Sequence, residues 1–337
     1  MLTLVVPGLI WPRQALADLS HDLPLPALRA LLGRGRRKPL PPGDGPGLLA
    51  AELGLPSPLP AAALRRLASG AAADTADLLC LDPVQLAVTE RHLVLGDPAQ
   101  LQLAEAEARE FAVSLAPTLK SLGELEVLAP GAWNLRLAQP APAFPDLATA
   151  IGRAVTPFPV QADYAPWRAA LNEAQMVLHT HPVNAARAAR GLPAVNSLWP
   201  WGGGRLPAAF APRVDRLHGD APLLAGLARL LGIPLQPLAD GLDPASRRPL
   251  AFVDALLVPA RLGEAMAWRD ALERLDALWL APAGRHLREG RLSGLRLLAP
   301  GESGGVELVL DRGDAWRFWR RPCAPADAFA IEALRKH

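Results

Sequence analysis

The sequence has very few cysteines, and their placement argues against two kinds of site. Its 337 residues include two cysteines, Cys80 and Cys323, which lie far apart and lack the spacing of a metal site or a redox motif. Two distant thiols in a chain of this length are typical of a protein of the reducing cytoplasm, and we expect that location. Cys80 lies in the apolar run LLCLD, which indicates a core position and not a nucleophile.

The chain also has little net charge and no long apolar run. It carries 35 basic and 33 acidic residues, a formal net charge of +2, so no overall field favours nucleic acid or an anionic membrane as a partner. No run reaches the roughly 18 apolar residues of a transmembrane helix. The segment MLTLVVPGLIWP has no basic region ahead of its apolar residues and is interrupted by Pro7 and Gly8, which predicts a buried strand and not a signal peptide.

Familiar catalytic signatures are missing as well. The sequence contains no GxxxxGK[ST] phosphate loop, no HExxH and no CxxC. His179 and His181 cannot share a helical face in the way that an i, i+4 zinc-binding pair does. We therefore predict no metal and no cofactor, and we assign no catalytic residue, although a triad assembled in space would leave no local signature.

What the chain does have is ample material for a core, with 50% hydrophobic residues. After the first strand, short apolar-periodic helices flank residues 34–47, RGRRKPLPPGDGPG. We expect these residues to form a solvated polar loop; alternatively, their Arg/Lys cluster binds a phosphate. Residues 76–137 contain strand-like runs around one helix. From about residue 195 onward, strands alternate with helices, a pattern that indicates a parallel sheet.

These patterns together predict the fold class and the domains. We expect an α/β protein with a mostly parallel sheet and flanking helices, plus a smaller α+β lobe. A proline-marked joint follows the strand-like region. Residues 1–75 and 151–337 are then the two parts of the main α/β domain, and residues 76–150 form the smaller lobe.

A helix is predicted from about Ala165 to Thr180, ending before Pro182. Met176 is expected to pack beside its apolar face, which is formed by Trp167, Leu171, Ala174 and Leu178. VNAARAARG predicts a second, short helix that ends at Gly191. Farther on, Asp220 is expected to cap the helix PLLAGLARLLG.

The stretch LNEAQMVLHTHPVNAARAARGLPAVNSLWPWGGGR, residues 171–205, is denser in special residues than any other part of the chain. Its glycine triplet follows a predicted strand, where backbone N–H groups can bind an anion and Arg205 can add charge. A tight turn that lets two backbones approach is the alternative. His181, beside Pro182, is placed either to contact a bound anion or to satisfy local backbone groups. Trp199 and Trp201 alternate on one strand face, which favours a core or pocket wall.

The candidate ligand-binding residues are therefore Asn172, Glu173, His181, Asn184, Asn196, Ser197, Trp199, Trp201, Gly202, Gly204 and Arg205.

The same stretch resembles the archaeal-type, cofactor-independent phosphoglycerate mutases. Those enzymes carry a similar run of HPVN, a basic helix, G-x-x-P-x-N and a strand ending in W-x-W-G-x-G, and the similarity continues weakly through DAPLLAGLARLLGIPLQPL. The whole chain resembles the bacterial RpfE-type regulatory proteins. The resemblance implies an alkaline-phosphatase-like α/β fold, two divalent metals held by Asp and His, and a serine nucleophile.

The sequence departs from that family where the metals would bind. The family's first strand ends in an aspartate before a glycine, and here Pro7 takes that place, with no carboxylate to offer. In the C-terminal half, His218, His286 and His337 do not form the family's Asp-His elements.

We therefore expect a metal-free mutase-like protein that binds a phosphorylated or carboxylate metabolite in a regulatory or binding role. The alternatives are an active mutase or phosphatase with other ligands, and a protein-interaction scaffold that uses the segment WRFWRRP. The sequence does not indicate an oligomeric state.

Overall fold

The computed structural model describes residues 1–71, 76–89, 92–156, 161–207, 212–242 and 246–331. The chain forms two compact units. The large unit joins Met1–Pro58 to Ala209–His337, and the inserted unit is the continuous segment Leu59–Ala208.

The strands, in chain order, are β1 (Leu2–Val5), β2 (Arg36–Leu40), β3 (Leu78–Val84), β4 (Leu86–Val88), β5 (Leu93–Leu95), β6 (Gly123–Ala129), β7 (Ala132–Leu137), β8 (Ala154–Val155), β9 (Ser197–Gly204), β10 (Arg216–His218), β11 (Leu235–Gln236), β12 (Pro249–Phe252), β13 (Gly294–Ala299) and β14 (Gly305–Asp311).

The helices are α1 (Arg13–Ser20), α2 (Pro26–Arg34), α3 (Gly45–Leu53), α4 (Ala61–Ala68), α5 (Glu105–Leu119), α6 (Leu147–Ala150), α7 (Ala165–His179), α8 (Pro182–Ala189), α9 (Pro222–Leu231), α10 (Leu257–Leu262), α11 (Ala265–Leu275), α12 (Ala281–Glu289), α13 (Arg312–Ala315) and α14 (Pro325–Ala328). Short 3-10 turns cover Pro98–Leu101, Ala162–Tyr164 and Leu238–Asp240, and a π-helical segment, Asp276–Leu280, joins α11 to α12.

The large unit is built on a seven-stranded sheet in the order β11-β10-β12-β1-β13-β14-β2. The first five strands of that order run parallel, and β14 is antiparallel to both of its neighbours. All four residues of β1 are buried because β12 and β13 flank it and helices cover the sheet. The predicted α/β class with a mostly parallel sheet is confirmed, and so is the buried first strand.

The inserted unit has sheets and a core of its own. Its main sheet is antiparallel in the order β6-β7-β3-β9, and a small sheet has the order β4-β5-β8. Phe111 on α5, Trp133 on β7 and Leu171 on α7 lie in one hydrophobic cluster. The bounds of this unit differ from the expected lobe of residues 76–150. The reason is that β9 pairs with β3, which draws α7, α8 and β9 into this unit.

Three local expectations are corrected by the structure. The polar segment 34–47 contains β2, because the exposed residues RRKPL pair with β14 at the sheet edge. Asp220 does not cap α9; its carboxylate accepts the backbone N–H of Leu238 at 3.3 Å. Met176 is 73% exposed and does not pack beside the apolar face of α7.

Other local expectations are confirmed. The helix α7 runs from Ala165 to His179, and its four predicted apolar-face residues are buried. The short helix α8 is followed by Gly191 at φ +71°, a conformation that glycine adopts without strain. In the part of the chain described above, no helix is both long and apolar enough to cross a membrane.

Candidate functional site

His181 lies at the junction of α7 and α8, where Pro182 opens the second helix. Its Nδ1 accepts the backbone N–H of Val183 at 3.2 Å, so it caps α8. Its Nε2 lies 2.9 Å from the Oγ of Ser114, a residue that the sequence patterns did not single out. Burial lowers the pKa of His181, with Glu110 opposing that shift, which favours the neutral ring.

The Ser114–His181 pair has the wrong proton arrangement for a nucleophile and its base. Because Nδ1 accepts a hydrogen bond, the neutral ring carries its proton on Nε2 and donates it to Ser114. A ring nitrogen that already holds a proton cannot remove one from the hydroxyl. The contact therefore positions the imidazole and does not activate the serine.

The two asparagines brace the backbone. Asn184 donates to the carbonyls of Leu178 and Val195 at 2.8 and 2.7 Å and accepts the N–H of Val195 at 3.0 Å. Asn196 exchanges two bonds with the backbone of Leu86, at 2.7 and 2.9 Å, as a neighbouring strand would. These side chains hold the end of α7 and the start of β9 in place.

The remaining polar candidates on α7 and β9 lie at different depths. Ser197 is buried and accepts a hydrogen bond from Gln175 at 3.1 Å. Glu173 is exposed and lies 3.4 Å from the hydroxyl of Thr118. Asn172 is exposed on the same helix.

The glycine triplet is part of β9 and not a loop after it. Gly202 has φ +60°, and a Cβ built there would lie 2.6 Å from the Cβ of Ala61 at the start of α4. The pairing of β3 with β9 shifts register at this point, between Leu78 and Cys80. Gly204, at φ +132°, similarly leaves 3.3 Å to Pro60. The expected tight turn is therefore not found, since the three glycines lie in β9, and the contact with Ala61 leaves no room for a side chain at Gly202.

Trp201 belongs to a buried charged centre around Asp82. Arg65 lies 2.8 Å from both carboxylate oxygens, the Trp201 indole donates at 2.8 Å, and the Trp133 backbone donates at 3.0 Å. The Arg65 guanidinium also lies 4.6 Å from the centroid of the Trp201 ring. Burial raises the pKa of the Asp82 carboxyl, while Arg65 and the two N–H donors oppose it. In the sequence, the signal for this centre is a lone carboxylate, Asp82, at the end of the apolar run LLCLD.

Trp199 and Arg205 complete the motif. The Trp199 indole is buried and donates to the Pro145 carbonyl at 3.1 Å. Arg205 is exposed, and its guanidinium donates to both carboxylate oxygens of Asp77, at 2.7 and 2.8 Å. The structure thus brings His181 and Asn184 together at the junction of α7 and α8. The candidate residues of β9 lie along that strand, where most of their polar atoms contact the protein itself.

A second region lies at the carboxyl ends of the parallel strands in the large unit, where open α/β sheets bind ligands. Pro7 follows β1, Asp220 follows β10 and Asp254 follows β12. A Cβ on Gly45, the first residue of α3, would lie 3.1 Å from both Pro7 and Phe252. The N-terminus of α3 therefore lies at this edge, and we call the region the carboxyl edge.

The pKa of the Asp254 carboxyl lies well above its ordinary value. Burial raises its pKa to about 6, its own backbone N–H opposes the rise, and the like charge of Asp220 adds to it. A carboxyl of this kind is partly protonated near neutral pH and can then donate a hydrogen bond. The run LAFVDALLVP predicts an apolar strand, and the carboxylate of Asp254 within it is the sequence signal for this group.

The carboxyl edge does not fit the two-metal centre that the family resemblance implies. Pro7 supplies no ligand, and no group of three or more His, Cys, Asp or Glu residues within the described ranges is arranged to hold a metal ion. His218 packs edge-on against Trp279 at 5.0 Å, and His286 faces Glu289 on α12 at 3.4 Å. His337 lies outside the described residues.

Comparisons with known proteins bear on the fold. No family model matches the chain, and no curated protein matches it. The PH0037 protein from Pyrococcus horikoshii is similar over 100% of this chain and 97% of its own, with a TM-score of 0.55 and 15% sequence identity. A cofactor-independent phosphoglycerate mutase from Thermoplasma acidophilum DSM 1728 is similar over 99% of this chain and 98% of its own, with a TM-score of 0.49 and 17% identity. The chain thus shares an overall fold with the PH0037 protein, and at 15% identity the likeness concerns the fold alone.

Proposed function

We propose that the protein binds a small anionic metabolite, phosphorylated or carboxylate, at the carboxyl edge, in a binding or regulatory role without two-metal phosphoryl transfer. The observation that carries this proposal is that the N-terminus of α3 lies at this edge beside Pro7, near the end of the strand that Asp254 follows; burial raises the pKa of Asp254 to about 6, so a fraction of it keeps its proton near neutral pH. A protonated carboxyl donates a hydrogen bond to an anionic oxygen, whereas a metal ligand must give up its proton.

The surroundings of Asp254 support an anionic ligand. The nine-residue helix α3 directs its N-terminus at this edge, and helix N-termini favour negative charge. Asp44 caps that helix by accepting the N–H of Gly47 at 2.7 Å. Pro7 stands where a metal-binding carboxylate would otherwise follow the central strand, which argues for a binding role and against phosphoryl transfer.

Calorimetric titration with 3-phosphoglycerate and with inorganic phosphate, across pH 5.5 to 8, tests the proposal. If Asp254 donates its proton to the ligand, affinity falls by up to about tenfold per pH unit above its pKa of about 6. Asp254→Asn keeps a donor at that position and loses the pH dependence. Asp270→Asn, on the exposed face of α11, is the matched control and behaves like the unaltered protein.

Two results count against the proposal. One is the absence of binding by either probe at millimolar concentration. The other is conversion of 3-phosphoglycerate to 2-phosphoglycerate in an enolase-coupled assay that requires added manganese and stops with a chelator, which would establish an active mutase. Elemental analysis of the same sample separates a resident metal from an added one.

A further inference from the structure

Three large aromatic side chains project from one turn near the end of the large unit. Trp316, Phe318 and Trp319 are 54%, 76% and 67% exposed. The Phe318 and Trp319 rings contact each other edge to face, with their centroids 5.3 Å apart, so they form one exposed apolar cluster. We call residues 316–319 the aromatic turn. Exposed apolar groups clustered in this way mark an interaction site.

The backbone of the aromatic turn is held by its own hydrogen bonds, whereas its indole N–H groups donate to none of the described residues. The N–H of Trp316 donates to the Gly313 carbonyl at 3.2 Å, and the N–H of Arg320 donates to Arg317 at 3.0 Å. In the large unit, the buried indoles of Trp268 and Trp279 donate to backbone carbonyls at 2.9 and 3.2 Å. The Trp316 and Trp319 indoles, by contrast, have no acceptor among the described residues. Each offers an apolar ring with one polar tip.

Basic residues surround the aromatic turn. Arg36 and Arg317 both bond to Asp314, at 2.9 and 2.8 Å, which joins β2 to the turn. A Cβ on Gly33 would lie 2.1 Å from the Arg321 carbonyl, so the end of α2 packs there too. The segment 312–321, which includes the turn, carries the basic residues Arg312, Arg317, Arg320 and Arg321 against one acidic residue, Asp314, which is buried. The positive excess is local, although the whole chain is almost neutral.

Two occupants fit this surface poorly. An added peptide strand would need the outer edge of β2, but Pro39 in that strand has no N–H to donate to a further strand. A second copy of the chain in a symmetric contact would bring the same basic surface against itself, and like charges repel.

We propose that the aromatic turn and its basic neighbours dock on an anionic phospholipid membrane surface. Indole rings favour the boundary between acyl chains and headgroups, where the ring is in apolar surroundings and the N–H meets polar oxygens. Arginines beside the rings are attracted to anionic headgroups over about one Debye length. The protein then lies on the membrane and does not span it.

Vesicle sedimentation with the full chain tests this proposal, using phosphatidylcholine vesicles with and without about one third phosphatidylserine. We expect binding to the anionic vesicles at low salt, weakening as salt rises, together with a blue shift of tryptophan emission. The double variant Phe318→Ser, Trp319→Ser is expected to bind at least about tenfold more weakly. Met266→Ser removes another side chain that is 68% exposed, on α11, and should bind like the unaltered protein.

Because the changed side chains are exposed, we expect both variants to fold, and circular dichroism checks this. The proposal is overturned if the unaltered protein does not sediment with anionic vesicles at low salt, or if the double variant binds as well as it does. It is also overturned if a polyglutamate peptide or a single-stranded RNA binds this surface more tightly than the vesicles, because the occupant is then an acidic protein or a nucleic acid.

Discussion

At the scale of single residues, the inserted unit contains two Asp–Arg pairs that differ mainly in depth. Asp82 is fully buried with Arg65, whereas Asp77 and Arg205 pair near the surface. Removing one charge from a buried pair leaves the other uncompensated in a medium that solvates it poorly. The same change at the surface exposes the partner to water, which solvates it.

Asp82→Asn is therefore expected to lower the free energy of unfolding by about 3–5 kcal/mol. Asp77→Asn, the matched control, should cost about 1 kcal/mol or less. Urea unfolding of the two variants measures both. Equal losses of stability would show that the charge of Arg65 is stabilised by another group or by water once Asp82 is neutralised.

Asp254 gives a prediction for the pH dependence of stability. Its pKa in the folded protein, about 6, lies above its ordinary value of 3.8. The folded state therefore binds the proton more tightly, and the resulting stability is present below pH 3.8 and lost as the pH rises through 6. Asp254→Asn should raise the free energy of unfolding at pH 8 by about 1–3 kcal/mol and change it little at pH 4. Asp270→Asn should show no such difference, and an equal response of the two variants would remove the assignment to Asp254.

At the scale of elements, the close contact between α4 and β9 depends on Gly202. Gly202→Ala adds a methyl group that meets Ala61 at 2.6 Å and also strains a backbone at φ +60°. Gly191→Ala, at φ +71°, imposes similar backbone strain, but its added Cβ meets nothing within 4 Å.

We expect Gly191→Ala to destabilise by about 1–2 kcal/mol and Gly202→Ala by about 1–3 kcal/mol more, from the steric contact. Thermal unfolding of both variants gives the difference. If the two losses are equal, α4 moves aside without cost and the glycine is not needed for the contact.

The elements that sequence patterns predicted well are those set by nearby residues. The helices α7 and α9 follow from apolar periodicity and from the glycine or proline near their ends. The strand β9 was predicted as a strand, but periodicity carries no information about its antiparallel partner β3, more than a hundred positions earlier in the chain. The same limit hid β2, whose polar residues become a strand only beside β14.

In the candidate site too, the sequence showed which residues are unusual but not which contacts they make. The special residues at positions 171–205 were visible in the sequence, yet the bracing role of Asn184 depends on Val195 reaching it across the helix–strand junction. The carboxyl edge was not visible, because strand order decides that Asp220 and Asp254 follow neighbouring strands, β10 and β12. Their ligand-binding role stays a prediction.

At the scale of the whole molecule, the inserted unit is one continuous segment with its own core. Leu59–Ala208 contains both antiparallel sheets and the cluster around Phe111 and Trp133. A segment of that size with a closed core can fold alone. We predict that this fragment unfolds cooperatively on heating and gives a dispersed amide spectrum. Aggregation, or a collapsed and undispersed spectrum, would show that it depends on the rest of the chain.

The central place of β1 in the large sheet has a consequence for biosynthesis. The strand β1 pairs with β12 and β13, whose residues are made last among the parallel strands. At elongation rates of about 5–20 residues per second, β1 waits roughly 10–50 seconds for a partner. During that interval the inserted unit can complete its own pairing, while the apolar strand LTLV stays unshielded. The nascent chain should therefore engage a ribosome-associated chaperone through the apolar residues of β1.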